Sequence, residues 1–117
     1  MDIRELEQEI NLLHERICSA LGDSTRILIL YLLDRKDLFV NELADDLNLP
    51  QSTVSRHLKI LRERNLVVNN RRGNAVLYSL ADRRIIQSLD IMREILAAQI
   101  HSEAAITKAT QDSIKSP

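Results

Sequence analysis

The chain has 117 residues, a single domain's worth, and 44% of them are apolar, yet it has one Phe, two Tyr and no Trp, so its core must be aliphatic. One Cys excludes an intrachain disulfide framework, and no apolar run reaches the length of a membrane span. The net charge of −1 hides a strong polarity: residues 1–51 carry 5 bases against 11 acids (net −6), residues 52–84 carry 8 against 2 (net +6), and residues 85–117 carry 3 against 4 (net −1).

The first segment, MDIRELEQEI, is charged from residue 2 and has no signal-peptide apolar stretch, so a soluble cytoplasmic protein is expected. Over residues 3–21, Ile3, Leu6, Ile10, Leu13, Ile17 and Leu21 recur at spacings of 3 and 4. That stripe predicts an amphipathic helix able to pack on its own domain and on a partner. Gly22 ends it, and Asp23 or Ser24 can cap a second helix by accepting backbone N–H bonds. Ile27 to Leu33 is apolar nearly all round, which places this second helix at the centre of the core.

DLFVNELADDLNLP predicts a short third helix capped by Asn41, with Leu43, Ala44 and Leu47 buried. Pro50 biases the residue before it away from helix, so a turn falls there. A fourth helix is predicted from Pro50 to Arg64, with Val54, Leu58 and Leu61 as its buried stripe. Two such helices joined by a short turn make a helix-turn-helix.

In LVVNNRRGNAVLYSL the period changes to that of strands, and the Asn/Arg/Gly centre predicts a hairpin. Asp82 then caps a last helix with the stripe Ile85, Leu89, Met92 and Leu96, widened by Ile86, Ile95 and Ile100. The predicted architecture is mainly α with a small β-hairpin, in the order α-α-α-α-β-β-α. It forms one domain over residues 1–101, with end helices at about 3–21 and 82–101. Residues 102–117, rich in Ala, Ser, Thr and Lys, are expected to be a frayed or disordered tail.

The basic block carries the chemistry. Removing the buried stripe from the fourth helix leaves Gln51, Ser52, Thr53, Ser55 and Arg56 in its first turns, with His57 beside them and Lys59 and Arg62 farther on. Gln pairs bidentately with adenine and Arg with guanine, Ser and Thr reach phosphates or base edges, and Lys59 and Arg62 suit phosphates. The first turns are the part of a recognition helix that enters the major groove. The hairpin adds Arg71, Arg72 and Asn74 around Gly73, a cationic tip suited to the DNA backbone or minor groove. No aromatic residue stands near that tip to stack on unpaired bases, which disfavours RNA and single strands. Nor does the sequence hold a Gly-rich phosphate loop or a Ser/His/Asp set at any motif spacing, so no enzyme is expected.

LGDSTRILILYLL, VNELADDLNLPQSTVSRHLKILRERNLV and RRGNAVLYSL together resemble the ArsR/SmtB family of winged-helix bacterial transcriptional repressors, over roughly residues 15–96. The resemblance implies a homodimer joined through the first and last helices. Ile3, Leu6, Ile10, Leu13, Ile17, Leu89, Met92 and Leu96 are the residues expected at that interface. It also implies repression at an inverted-repeat operator, association with the nucleoid, and release by an inducer. The other reading of the same fold is a winged-helix module that docks protein rather than DNA.

Metal-sensing members of that family carry a motif resembling ELCVCDL on the third helix, where this chain has DLFVNEL, with Phe39 and Asn41 at the cysteine positions. A second family site lies on the last helix. Here it keeps Asp82 but has Arg84, Ile95 and Ala98 at the remaining positions. Phe cannot ligate, Asn is a poor ligand for a soft ion, and a lone carboxylate beside arginines does not hold zinc. No metal and no cofactor is therefore expected, and an inducer, if any, would sit in a cleft between the long helices. A thiol-responsive repressor is the alternative: Cys18 follows His14 by one turn, a spacing at which an imidazolium favours the thiolate.

Overall fold

The computed structural model describes residues 1–115. It contains α1 (Ile3–Leu13), a π-helical turn (His14–Cys18), α2 (Ser24–Arg35), β1 (Leu38–Phe39), α3 (Val40–Leu47), α4 (Gln51–Glu63), β2 (Val67–Arg72), β3 (Ala75–Leu80) and α5 (Arg84–Lys115). The fold is mostly helical with a small antiparallel sheet, as expected, and it divides into two compact units, Met1–Arg83 and the α5 helix that follows.

The segment read as one helix over residues 3–21 is interrupted. After Leu13 the ladder widens into a single π turn, in which the Ser19 N–H donates to the His14 carbonyl at 2.9 Å. Apolar spacing does not report such a turn, because one extra residue leaves the stripe nearly aligned. α1 buries none of its side chains: Ile3, Leu6, Ile10 and Leu13 are all exposed, and Ile17 is half-buried.

Asp23 caps α2, accepting from the Thr25 N–H at 2.8 Å and the Arg26 N–H at 3.3 Å. α2 is central but not enclosed. Ile29, Leu30 and Leu33 are buried, while Leu28 faces out with 53% of its surface exposed. The cap expected at Asn41 stands two residues earlier. The helix starts at Val40 with Phe39 at the cap position, and the Glu42 carboxylate reaches back to accept from the Phe39 N–H at 2.9 Å. A two-residue strand, β1, precedes it and was not anticipated.

Leu43 and Ala44 of α3 are buried, as are Val54, Leu58 and Leu61 of α4, the last three at 0% exposure. Fully burying an aliphatic side chain contributes about 1.5–3 kcal/mol, so this stripe fixes the rotation of α4 about its axis. Both helices end on left-handed asparagines, Asn48 at φ 53° and Asn65 at φ 59°. In each case the next N–H reaches back five residues, Leu49 to Ala44 at 3.0 Å and Leu66 to Leu61 at 2.9 Å.

The sheet has the order β1-β3-β2, all antiparallel, with Leu38 opposite Tyr78 and Val67 opposite Leu80. The hairpin is tighter than the sequence suggests. Its strands run through Arg72 and Ala75, leaving only Gly73 and Asn74 in the loop. Gly73 has φ 63° and Asn74 does not share the positive φ, the pattern of a type II′ turn with Gly first.

α5 continues to Lys115, so residues 102–115 are helical where a frayed tail was expected, and residues 116–117 lie outside the described part. The stretch lacks an apolar stripe but is rich in good helix formers and has no Gly or Pro before Pro117. Ile86 and Leu89 are buried, whereas Ile91, Met92, Ile95, Leu96 and Ile100 are more than half exposed.

Candidate nucleic-acid interface

The buried stripe of α4 leaves an outward arc. Gln51, Ser55, Lys59 and Arg62 follow one row along it and Ser52, Arg56 and Glu63 the next, and all seven are exposed. Thr53, His57 and Ile60 lie on the flank and are half-buried. Arg56 reaches back one turn to the Thr53 hydroxyl at 3.5 Å, a long contact that leaves its guanidinium available.

The wing brings a second set of cations. Arg71 and Arg72 are exposed at the end of β2, with Asn74 exposed in the loop that follows. The Arg71 Nε donates to the Gly73 carbonyl at 3.4 Å, which holds that side chain over the turn. The Ala81 N–H donates to the Leu66 carbonyl at 3.0 Å and closes the base of the wing directly after α4. Among the described residues, none of Arg56, Lys59, Arg62, Arg71 and Arg72 is engaged in an ion pair. Their charge is left for an outside anion, the requirement for contacting phosphates.

His57 does not join the outward arc. Its Nδ1 lies 3.3 Å from an Arg26 Nη1 on α2. The same guanidinium donates from Nε to the Ala20 carbonyl at 2.7 Å and from Nη2 to the Ser19 carbonyl at 3.4 Å. Asp23 stands beside this cluster. Desolvation pushes its carboxyl up, but the N–H donors of Arg26 and Thr25 and the nearby His57 and Arg26 outweigh that and hold it below the ordinary carboxylate value. A helix–helix hydrogen bond is one of the two roles that the sequence suggests for His57, but it does not single out Arg26 as the partner, because the two lie 31 residues apart and no local period links them. The one available signal was a histidine placed off both the apolar stripe and the exposed rows.

Of the interface candidates, Ile3, Leu6, Ile10, Leu13, Met92 and Leu96 are exposed, and Ile17 is half-buried. Leu89 keeps only 6% of its surface, so its side chain has little left to offer a partner. Cys18 is exposed at the end of the π turn. Phe39 is half-buried in β1, while Asn41, Asp82, Arg84, Ile95 and Ala98 are exposed. Among the described residues, no group of three or more His, Cys, Asp or Glu side chains is placed to hold a metal ion. No described helix is long and apolar enough to cross a membrane.

A short helix, a turn, an exposed polar helix and an antiparallel wing define a winged helix-turn-helix. Residues 23–68 match the sequence model of bacterial regulatory proteins of the arsR family. NmtR, an HTH-type transcriptional regulator of Mycobacterium tuberculosis, is 41% identical over 71 residues, which are 61% of this chain and 59% of NmtR. Rv0081, another HTH-type transcriptional regulator of M. tuberculosis, is 37% identical over 87 residues, 74% of this chain and 76% of Rv0081. Its crystal structure superposes with a TM-score of 0.69 at 31% identity, covering 89% of this chain and 98% of that one. The homodimeric winged helix-turn-helix DNA-binding domain Mb0332 from Mycobacterium bovis superposes with a TM-score of 0.72, covering 82% of this chain and 89% of that one, at 21% identity, a likeness of fold alone. The chain belongs to the arsR family. Membership in a family of transcriptional regulators sets the enzyme reading aside. The matched stretch spans about three fifths of NmtR's length, 59%.

Proposed function

We propose that the chain is a homodimeric repressor that binds an inverted-repeat operator in double-stranded DNA through α4 and the wing, in the cytoplasm at the nucleoid. The observation that carries this reading is the outward arc of α4. Gln51, Ser52, Ser55 and Arg56 provide donors and acceptors for base edges at its start, and Lys59 and Arg62 provide unpaired cations for phosphates beyond. A protein-docking module would need apolar side chains on that arc, and none is there.

Dimerisation is supported by the outward apolar residues of two helices, Ile3, Leu6, Ile10 and Leu13 on α1 and Met92, Leu96 and Ile100 on α5. Apolar surface on this scale calls for a cover. Two recognition helices related by a two-fold axis then meet half-sites about one helical turn apart. Repression is proposed to be independent of the two family metal sites, because Phe39, Asn41, Arg84, Ile95 and Ala98 supply no ligand for zinc at those positions. Control by oxidants at Cys18, whose thiol is exposed, is the alternative to an inducer bound between the long helices.

Three measurements test this reading. The full chain should bind duplexes from the region upstream of its own gene, with affinity falling roughly 10³-fold or more between about 50 and 200 mM salt. Salt-independent binding, or none, would refute it. Zinc should leave the complex intact, and release by zinc would overturn the proposal about the metal sites. Release by peroxide that is lost in Cys18→Ser would support thiol control, and release that persists in Cys18→Ser would remove it.

A further inference from the structure

The cluster around Arg26 ties three parts of the Met1–Arg83 unit together, and the recognition helix is one of them. An arginine has donors only, so in the 3.3 Å contact the Nδ1 of His57 is the accepting atom. Two further donors of the Arg26 fork go to the Ala20 and Ser19 carbonyls, in the turn that directly follows the π turn. Its own backbone N–H is held by the Asp23 cap. Ala20 is buried at 1% exposure, so the carbonyl end of that segment is anchored in the core. One guanidinium thus connects the end of the N-terminal segment, the first turn of α2 and the flank of α4. Apolar packing at Val54, Leu58 and Leu61 sets which face of α4 is buried. The polar contact on its flank adds a directional constraint at one point along the helix.

We propose that His57 is a positioning residue, not a base or phosphate contact: through Arg26 it fixes the orientation of α4 to the end of the N-terminal helical segment. This inference rests on the DNA-binding reading above. A change at that N-terminal segment would reach Arg56 and Gln51 through this tie.

The test uses the full chain and the duplex that it enriches from random sequence. His57→Ala should weaken binding roughly tenfold, the scale of a lost hydrogen bond to a charged group, with the salt slope and the base preference both unchanged. His57→Asn, whose Oδ1 stands near the place of Nδ1, should recover most of that loss. Arg26→Ala should weaken binding similarly and add little when combined with His57→Ala. Should His57→Ala fail to fold, His57→Gln, which displaces the acceptor by one methylene, replaces it in the same cycle. A salt slope lowered by about one, or relaxed preference at one base pair, would show a direct DNA contact and overturn the inference. So would additive effects of the two substitutions, or no rescue by Asn. If the wild-type chain enriches no duplex, the DNA-binding reading itself fails. If it binds and His57→Ala binds equally well, only the positioning role fails.

Discussion

Arg71 and Arg72 are neighbours in sequence but stand on opposite faces of the wing, since Arg71 pairs with Val76 and Arg72 with Ala75 and successive strand residues alternate. Arg71 shares its face with Val67 and Tyr78, both buried, so it lies on the side of the ribbon turned to the helical core. One DNA surface cannot engage both equally. Arg71→Ala should weaken duplex binding and lower the salt slope by about one, while Arg72→Ala should change each by less than half as much. Equal effects from the two substitutions would contradict this division.

Along α4 the roles divide by position. Arg56, in the second turn, should read a base, and Arg56→Ala should remove about 1–3 kcal/mol of discrimination at one pair. Lys59→Ala and Arg62→Ala should weaken all duplexes alike and reduce the salt dependence. A binding titration of matched and singly mismatched duplexes separates the two classes. Uniform loss from Arg56→Ala would remove it from the readers.

Much of this arrangement is legible in the sequence, for a physical reason. Val54, Leu58 and Leu61 are spaced for one helical face, and burial followed that spacing without exception. Pro50 marked the turn because its ring restricts the residue before it, and the helix-turn-helix and wing followed from local rules. Features that depend on contacts across the chain, or on propensity without pattern, were not legible. Leu89 carries the same stripe spacing as Met92, yet it is buried where Met92 is 51% exposed, and periodicity alone does not divide a stripe between core and partner. Residues 102–115 lose the apolar period but keep helix-forming residues, so a period-based reading ended α5 too early. The π turn at His14–Cys18 and the Glu42 side chain that closes the start of α3 were missed because neither shifts the apolar stripe.

Asp23 should make stability depend on acid pH. Its folded-state value lies below the ordinary carboxylate value, so its contribution is fully present above the unfolded value of about 3.9 and is lost as the pH falls through the lower folded value. Asp23→Ala should lower Tm at neutral pH, and the gap to wild type should narrow below about pH 4. Thermal unfolding followed by circular dichroism checks this, and a gap that widens in acid would reverse the sign.

Asn48 and Asn65 hold left-handed backbone at the ends of α3 and α4. Glycine adopts that region freely and branched residues do not. Asn65→Gly should leave urea stability unchanged or raise it slightly, and Asn65→Val should cost about 1–2 kcal/mol. The same order should hold at Asn48. A valine variant as stable as wild type would show that these turns relax to another conformation.

The central claim is that the outward arc of α4 and the wing of each protomer read duplex DNA as a symmetric pair. Selection of random double-stranded sequences by the full chain tests it most directly. The expected result is one enriched inverted repeat, with half-sites about 10–10.5 base pairs apart centre to centre. Enrichment of a single unrepeated site, or of no sequence at all, would contradict it.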